Sequence, residues 1–466
     1  MKTYLKFAAA AAGLLCASVS GTALAQGAPV SLQEAVAVGV DSNPEISQAQ
    51  MNKEAIQFER KQAQGLYGPR IDIEGSIGAR NLENPTRRSL GIASDWLYPM
   101  EAKVAADWVV IDFGRRRGEL LRQASRVDGA SLRVLERSEF VALQIARQYL
   151  DVMLQQRVMA ASMDNTAFHR ELVGSLTRGV DQGSISIADQ QQAEERLQAA
   201  LVREAESAET LKNAQIRLQS LTGLTIDNVM TPPNLSAMMP TGEEDAIGLA
   251  RTRNPLVLEA KADVDAARAL AESAKGDLYP TIGVDAYART GDDIDGFKGT
   301  TNDLMARAYL KWNIFDSGIN HAKYQEMVRR SSEARFRLHT REREAEEDVR
   351  MAWNGLQTQT RIVGDLTTQS SVTDGLLESY QGQFNVGRRS LLDVLDAQNT
   401  RYNVQVRLET ARFSEIFAQY QVLAATNRFL EALSVPPHYG AGETERDRFD
   451  YGPHIPAERE SRVYPK

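Results

Sequence analysis

The chain has 466 residues, 42% of them hydrophobic, and a formal net charge of −8 at pH 7. A mildly acidic chain lacks the basic face that phosphate binding needs, so the charge argues against a nucleic-acid partner. The only cysteine is Cys16, which excludes a disulfide within the chain and a metal site built from several thiolates.

The first 25 residues have the pattern of a cleaved secretory signal peptide. Two lysines are followed by an apolar stretch from Phe7 to Val19, and Ala23-Leu24-Ala25 precedes Gln26. An uncleaved membrane anchor is the alternative, but the apolar stretch is well short of the roughly 20 residues that span a bilayer as a helix. Cys16 follows two leucines where a bacterial lipoprotein signal has a small residue, so lipid attachment is not expected. We therefore predict export, with residues 1–25 removed.

The rest of the sequence contains one plan twice, because the same residues recur at fixed spacings. Asn43-Pro44 recurs as Asn254-Pro255, 211 residues later; Trp108, Asp112 and Gly114 recur as Trp312, Asp316 and Gly318, 204 residues later; and Gly183, Ser186, Asp189 and Ala193 recur as Gly387, Ser390, Asp393 and Ala397 at the same spacing of 204. We predict a first repeat over residues 26–223, a linker over 224–244, a second repeat over 245–433 and an irregular tail over 434–466.

Each repeat contains two stretches in which apolar and polar residues alternate. In the second repeat, for example, Ala306, Ala308 and Leu310 alternate with Arg307, Tyr309 and Lys311. A period of two with one apolar and one charged face predicts strands whose two sides meet different media. The segments between paired strands, residues 81–99 and 290–302, are rich in Asn, Asp, Gly and Pro, as expected for exposed loops.

Long helices are predicted after each strand pair. No proline occurs from Arg115 to Arg178 or from Gly318 to Val386, which allows helices of roughly 95 to 105 Å at 1.5 Å per residue. Apolar residues at heptad-like spacing indicate that these helices pack as coiled-coil hairpins. Gly183 and Gly387 lie at the predicted returns, where glycine can adopt the left-handed conformation that ends a helix.

Four strands per chain are too few to close a membrane barrel, since the smallest bacterial outer-membrane barrels have eight. Open edges in lipid leave backbone groups without hydrogen bonds at several kcal/mol each. A trimer of twelve strands is the simplest closed arrangement. A soluble sheet with one face packed on helices shows the same alternation, but the export signal and the very long helices favour the membrane. No apolar run of 18 or more residues follows the signal, so a membrane-spanning helix is not predicted.

Aromatic residues lie at the predicted strand ends, where barrels carry girdles at the lipid–water interface. Trp108 and Phe113 lie at the end of the second strand, and Trp312 and Phe315 lie at the end of the fourth. A single aromatic residue at such a position is more often simply packed. Its recurrence in both repeats favours a membrane interface.

The order of these features resembles the TolC family of outer-membrane efflux and secretion channels, and the most specific stretch is Val386 to Gln398, VGRRSLLDVLDAQ. The resemblance covers about residues 30–435. It implies a fold that is mainly α with a small membrane β part, in which a trimeric 12-strand β-barrel with four strands per protomer continues into a long α-helical coiled-coil barrel. It also implies an outer-membrane location in a Gram-negative bacterium, with most of the chain in the periplasm, and a homotrimer that contacts outer-membrane lipid, a periplasmic adaptor and an inner-membrane ABC or proton-driven pump.

The same resemblance implies roles for the residues at the hairpin tips. Asp393 and Asp396 match aspartates that line the closed tip, Arg389 matches an arginine that links neighbouring helices, and Asp189 matches its possible partner in the first hairpin. Phe384 stands where TolC has a linking tyrosine, so one hydroxyl of the closed state is missing here. Without the resemblance, two aspartates three residues apart on a helix are ordinarily a solvated stripe.

Enzyme signatures are absent from the sequence, including the Gly-x-x-x-x-Gly-Lys-Ser/Thr phosphate loop and His-Glu-x-x-His. The five histidines have no metal-binding spacing: His169, His321, His339, His438 and His454. We therefore predict no enzyme activity, no cofactor and no metal site.

The predicted function is a passive exit duct for substrates delivered by the pump and adaptor. The form of residues 390–398, SLLDVLDAQ, and the lack of a lipid-attachment cysteine resemble the branch of the family that serves type I protein secretion. Drug or metal efflux is the alternative. A soluble periplasmic coiled-coil adaptor is a remote alternative, because such a protein needs one hairpin beside a lipoyl-like β domain and no matched pairs of alternating strands.

Overall fold

The computed structural model describes residues 29–442 and 444–448; the predicted signal peptide and the part of the predicted tail beyond residue 448 lie outside the described residues. The elements follow one order twice, namely two short helices, a strand pair and a long helical hairpin. The first copy comprises α1 (Leu32–Ser42), α2 (Pro44–Gly65), β1 (Arg70–Ile77), β2 (Arg80–Asn81), α3 (Pro85–Ser89), β3 (Trp96–Leu97), β4 (Met100–Ile111), α4 (Arg115–Asp181) and α5 (Ile187–Thr222). The second comprises α6 (Glu243–Arg253), α7 (Pro255–Gly276), β5 (Thr281–Asp292), β6 (Thr300–Lys311), α8 (Ile319–Asn385) and α9 (Leu391–Ala425), followed by α10 (Phe429–Ala432).

The two long helices α4 and α8 have 67 residues each, so each is about 100 Å long at 1.5 Å per residue. Both begin at a corner that needs glycine, because Gly114 and Gly318 adopt φ values of 97° and 86°, in the left-handed region that disfavours other residues. Arg116 stabilises the first corner, because its Nε donates to Asp112 Oδ2 at 2.7 Å. This corner turns the chain directly from strand into helix.

The main sheet is antiparallel, with strand order β1-β4-β5-β6. Adjacent cross-strand rows have opposite character. One row is apolar across all four strands, with Ile73, Val104, Ala288 and Leu304 in register, and the next is charged across all four, with Glu74, Lys103, Arg289 and Asp303 in register. In the charged row, Lys103 Nζ donates to Glu74 Oε2 at 3.1 Å and Arg289 Nε donates to Asp303 Oδ2 at 3.0 Å. The sheet therefore has one apolar face and one face of paired charges, as the alternation predicted.

The loop between β1 and β4 has more structure than its composition predicted. It contains α3 and a two-stranded sheet of β2 and β3, and the side chain of Arg87 is only 1% exposed. The guanidinium of Arg87 donates to the carbonyls of Ile92 at 2.7 Å and Asp95 at 2.8 Å, and also to the carbonyl of Gly296 in the loop of the second copy. A residue type that is normally exposed thus ties the two outer loops together. The second loop is shorter than predicted, because β5 and β6 extend to Asp292 and from Thr300.

The helices pack through a continuous apolar core. Val141, Ile145 and Leu150 of α4 are buried in it, as the heptad-like spacing predicted, together with residues of α1, α5, α9 and α10. The described part of the predicted tail also packs on this region, because Arg446 contacts Asp128 of α4 and Asp265 of α7. Within residues 29–442 and 444–448, no helix combines the length and apolar character needed to cross a membrane.

The two faces of β6 predict opposite tolerance to charge. Leu304 lies on the apolar face and is 82% exposed, whereas the neighbouring Met305 lies on the charged face, opposite Tyr287. If the apolar face meets hydrocarbon, Leu304→Arg near mid-strand destabilises the inserted protein by about 2 to 4 kcal/mol, and Met305→Arg is tolerated. The measurement is the amount of each variant in isolated outer membranes. Equal amounts of both would show that this face does not meet lipid.

Candidate functional site at the hairpin tips

The two long hairpins end in turns of the same geometry. Gly183 and Gly387 both adopt φ of 70°, as the sequence predicted for a left-handed turn residue. The amide of Gly183 donates to Val180 O and that of Gly387 to Phe384 O, each at 2.9 Å. These bonds satisfy carbonyls at the ends of α4 and α8 that the helices themselves leave free. The tips of the two copies are therefore equivalent in backbone structure.

A serine and an aspartate begin the returning helix at each tip. Ser186 Oγ accepts from the amide of Asp189 at 3.1 Å and donates to Asp189 Oδ2 at 2.7 Å. Ser390 and Asp393 make the same two contacts at 3.2 and 2.8 Å. These caps stabilise the starts of α5 and α9, and a carboxylate there also interacts favourably with the helix dipole. Asp189 and Asp393 thus have a local structural role.

Asp396 lies one turn further along α9 and differs from Asp393. Its side chain is exposed, and it forms no hydrogen bond or ion pair within the described part of the chain. Asp393, in contrast, accepts a hydrogen bond from Ser390 Oγ and lies 3.6 Å from the guanidinium of Arg389. Of the two predicted lining carboxylates, only Asp396 carries an uncompensated charge in the protomer.

Arg389 makes its contacts inside the second hairpin. Besides Asp393, its guanidinium carbon lies 4.0 Å from the centre of the Tyr380 ring, and its Nε donates to Gln383 Oε1 at 3.3 Å. Asp189 contacts Ser186 in the first hairpin, so the structure does not bring together the predicted pair of Arg389 and Asp189. The sequence analysis missed Tyr380 and Gln383. The available signal was that Tyr380 lies four residues before Phe384, on the same helix face.

Phe384 is half-buried and packs where the two hairpins meet. It contacts one apolar cluster of Leu176, Ala193, Leu391 and Leu395, which includes residues of both hairpins, and another of Leu377, Val394 and Ala397. The phenyl ring therefore contributes apolar contact between the hairpins, in place of the hydrogen bond that a tyrosine hydroxyl can make.

A polar seam joins the two hairpins further from the tip. Three hydrogen bonds define it: Ser162 to Tyr402 at 2.8 Å, Gln398 to Asn165 at 2.9 Å and Arg203 to Asn399 at 3.0 Å. Buried polar pairs in a coiled coil fix the register of the helices. No sequence motif identified this seam, because its residues are far apart along the chain.

His169 lies one turn from Asn165 on α4 and is 5% exposed. Its Nδ1 is buried without a hydrogen-bond partner among the described residues. Burial, followed by the charges of Arg203 and Arg196, lowers the pKa of His169 to about 4. The imidazole is therefore neutral at neutral pH.

At the opposite end of the helices, the predicted interface aromatics lie at the strand–helix junction. The indole of Trp108 donates to Tyr67 O at 2.9 Å, and that of Trp312 donates to Leu278 O at 3.2 Å, so the two tryptophans make equivalent contacts in the two copies. Phe113 stacks on Tyr279 with a centroid distance of 5.5 Å, and Phe315 is strongly exposed. Indole N–H groups with a polar partner and an exposed ring face are typical of a lipid–water interface.

A four-stranded sheet with one apolar face, continued by helical hairpins about 100 Å long, is the fold of outer-membrane channel proteins whose helices extend into the periplasm. The chain belongs to the family described as "Outer membrane efflux protein", which it matches over residues 40–224 and 246–433. Membership follows from a match over most of the sequence.

Individual proteins agree with this family. The chain is 26% identical over 290 residues to the outer membrane efflux protein BepC of Brucella suis biovar 1 (strain 1330), covering 61% of this chain and 62% of BepC. It is 21% identical over 455 residues to the outer membrane protein TolC of Escherichia coli (strain K12), covering 89% of each. The chain thus spans less than two thirds of the length of BepC but most of that of TolC.

A solved structure shows the same fold. The Campylobacter jejuni CmeC outer membrane channel superposes with a TM-score of 0.74 at 14% identity, covering 85% of this chain and 86% of that one. Together with the family match, this confirms the predicted family, the predicted fold class and the outer-membrane location with a periplasmic helical part. Because the family consists of channel proteins, the prediction that the chain is not an enzyme is also confirmed.

The tip glycine predicts a local loss of stability when it is replaced. Gly387→Ala places a Cβ at a φ of 70° and costs about 1 to 2 kcal/mol, so the amides around residues 383–392 exchange hydrogen faster. Gly382→Ala is the matched control, because Gly382 lies within α8 with open space around its Cα and alanine favours the helix. Equal exchange rates in both variants would contradict the strained turn.

The buried histidine predicts a pH dependence of stability. Because the pKa of His169 is about 4 in the folded chain and about 6.5 when unfolded, the unfolded chain binds more protons between these values. The stabilisation is therefore complete above pH 6.5 and is lost as the pH falls towards 4. From pH 7.5 to 5, the wild type loses about 2 kcal/mol more of its free energy of unfolding than His169→Gln. Urea unfolding at both pH values measures this difference.

The exposed His339 on α8 provides the control for this experiment. Its ring lies at the surface beside Glu342, so His339→Gln removes an imidazole without changing the buried site around His169 and controls for the substitution itself. If His169→Gln and the wild type lost equal stability on acidification, the buried imidazole would not be the source of the dependence.

Proposed function

We propose that three copies of this chain form a passive exit duct that crosses the outer membrane and extends through the periplasm to an adaptor and an inner-membrane pump. The observation that carries this proposal is the four-stranded sheet in which an apolar cross-strand row on one face lies beside a charged row on the other. Such a sheet fits a wall between lipid and a water-filled lumen.

The sheet edges support a trimer. β1 and β6 are the outer strands of the main sheet, and in hydrocarbon their free backbone groups need partners. Pairing β6 of one protomer with β1 of the next gives a closed barrel of twelve antiparallel strands. The two tryptophans at the strand–helix junction hold this barrel at the inner lipid–water interface.

The tip residues support a gate. In the proposed trimer, three copies of Asp393 and Asp396 lie around the axis at the narrow periplasmic end. Carboxylate rings in a constriction attract cations, because the low-dielectric walls focus the field. Arg389, Asp189 and Phe384 belong to the contacts that keep the tip closed, and Gly183 and Gly387 provide the turns.

For the cargo, we propose type I protein secretion, with an ABC pump as the energy source. This choice is supported by the form of the stretch from Ser390 to Gln398 and by the lack of a lipid-attachment cysteine. Drug or metal efflux through a proton-driven pump is the second candidate. It is favoured by the match to the outer membrane efflux protein family and by the similarity to the outer membrane efflux protein BepC. The two candidates are distinguished by cross-linking the protein to its partners in cells and identifying whether an ABC pump or a proton-driven pump co-purifies with it.

Planar-bilayer recording tests the gate. The wild-type trimer is expected to show a small, cation-selective conductance that millimolar trivalent cations block from the periplasmic side. The double variant Asp393→Asn with Asp396→Asn loses the block, because the carboxylate ring is removed, and Arg389→Ser raises the conductance. Asp365→Asn removes an exposed carboxylate on α8 far from the tip and leaves both properties unchanged.

Two results would contradict the proposal. If the double asparagine variant kept the selectivity and block of the wild type, the aspartates would be a solvated stripe with no pore role. If cell fractionation recovered the protein as a soluble periplasmic monomer, the chain would not form a duct.

A further inference from the structure

The side chain of Arg389 is held by three partners of unequal rigidity. Its ion pair with Asp393 is 3.6 Å long, with both side chains about one third or more exposed, and such exposed pairs contribute little. Gln383 accepts at 3.3 Å from an exposed position on α8. The third partner is the ring of Tyr380, centred 4.0 Å from the guanidinium carbon.

Tyr380 is the fixed member of this group. It is half-buried and packs against the cluster of Leu377, Val394 and Ala397, which joins α8 to α9. A packed aromatic ring offers a rigid face, and a guanidinium stacks on it both as a cation and as a planar group. The ring therefore selects one of the many conformations open to the arginine side chain.

By fixing the position of Arg389, the Tyr380 ring also affects the charge distribution at the tip. It keeps the positive charge beside Asp393, where the two formal charges compensate, and away from the exposed Asp396. It also fixes the guanidinium at the tip of the second hairpin, beside the start of α9. Phe384, four residues further along α8, lacks a hydroxyl for a polar link, and the contact between Tyr380 and Arg389 supplies a link one turn away.

We propose that Tyr380 is a positioning residue of the gate, which holds Arg389 in the conformation that keeps the tip closed. This inference rests on the proposed function, since it requires that Arg389 contributes to closure. The aromatic face is the active feature, and the hydroxyl is not required.

The experiment compares single-channel recordings of trimers that carry substitutions at Tyr380 and Arg389. Tyr380→Leu removes the ring face and increases the open-to-closed ratio about two- to fivefold, the range expected for loss of one exposed cation–π contact. Tyr380→Met, which is unbranched and adapts to irregular space, gives the same increase if Tyr380→Leu fails to assemble. Tyr380→Phe retains the face and restores the wild-type ratio.

A double variant tests whether the two residues act together. Tyr380→Leu combined with Arg389→Ser is expected to match Arg389→Ser alone, because residues that act through one contact are not additive. Phe336→Leu is the matched control, since Phe336 lies under Arg335 on the same helix, with its ring centre 5.5 Å from the guanidinium carbon. It leaves the open-to-closed ratio unchanged.

The outcomes separate this inference from the proposed function. If Arg389→Ser left the ratio unchanged, the proposed gate would fail. If Arg389→Ser raised the ratio while Tyr380→Leu and Tyr380→Met did not, the positioning role would be overturned and the gate would stand. An equal increase in Tyr380→Phe and Tyr380→Leu would also overturn it, because the hydroxyl and not the ring face would then be the active feature.

Discussion

Backbone hydrogen bonding at the edges of the main sheet is the constraint on which the remaining architecture depends. Within the protomer, β4 and β5 are paired on both sides, whereas β1 and β6 are paired on one side only. Hydrocarbon provides no donors or acceptors for the free sides, so a lipid-facing sheet of this kind requires a neighbour at each edge. The chain is therefore suited to form one part of a larger closed assembly, and the closure of the sheet determines how the two long hairpins are arranged.

The junction between sheet and helices passes this arrangement from one part to the other. Asp112 and Gly114 turn the chain within a few residues, and Arg116 fixes the corner by also donating to Val109 O at 2.6 Å and Val110 O at 3.0 Å. A buried guanidinium with several acceptors is costly to disrupt. The start of α4 is therefore rigidly oriented relative to β4, and a helix about 100 Å long converts a small change of angle at this corner into a large displacement at its far end.

Local patterns in the sequence predicted the helices and strands but not the side-chain contacts between them. The recurrence of Trp108 as Trp312 predicted equivalent positions that indeed make equivalent hydrogen bonds, and the proline-free stretches predicted both long helices. The burial of Arg87 and the bond between Ser162 and Tyr402 were not predictable, because each joins residues whose contact depends on tertiary packing. At the tip, the hydrogen bonds between Ser390 and Asp393 follow from the local sequence at the helix start. The stacking of Arg389 on Tyr380, in contrast, depends on how the chain turns at the end of the hairpin.

The internal repeat has a consequence for symmetry. Three chains with two hairpins each approximate a sixfold ring, because the tip turns and serine caps of the two copies coincide in geometry. The residue of the first copy that corresponds to Arg389 is Ile185, however, and Ser184 corresponds to Arg388. The pseudosixfold symmetry is therefore broken at the hairpin tips, where hairpins that carry Arg388 and Arg389 alternate with hairpins that carry Ser184 and Ile185. In the proposed trimer, Arg388 and Arg389 therefore follow threefold symmetry and lie on every second hairpin of the ring.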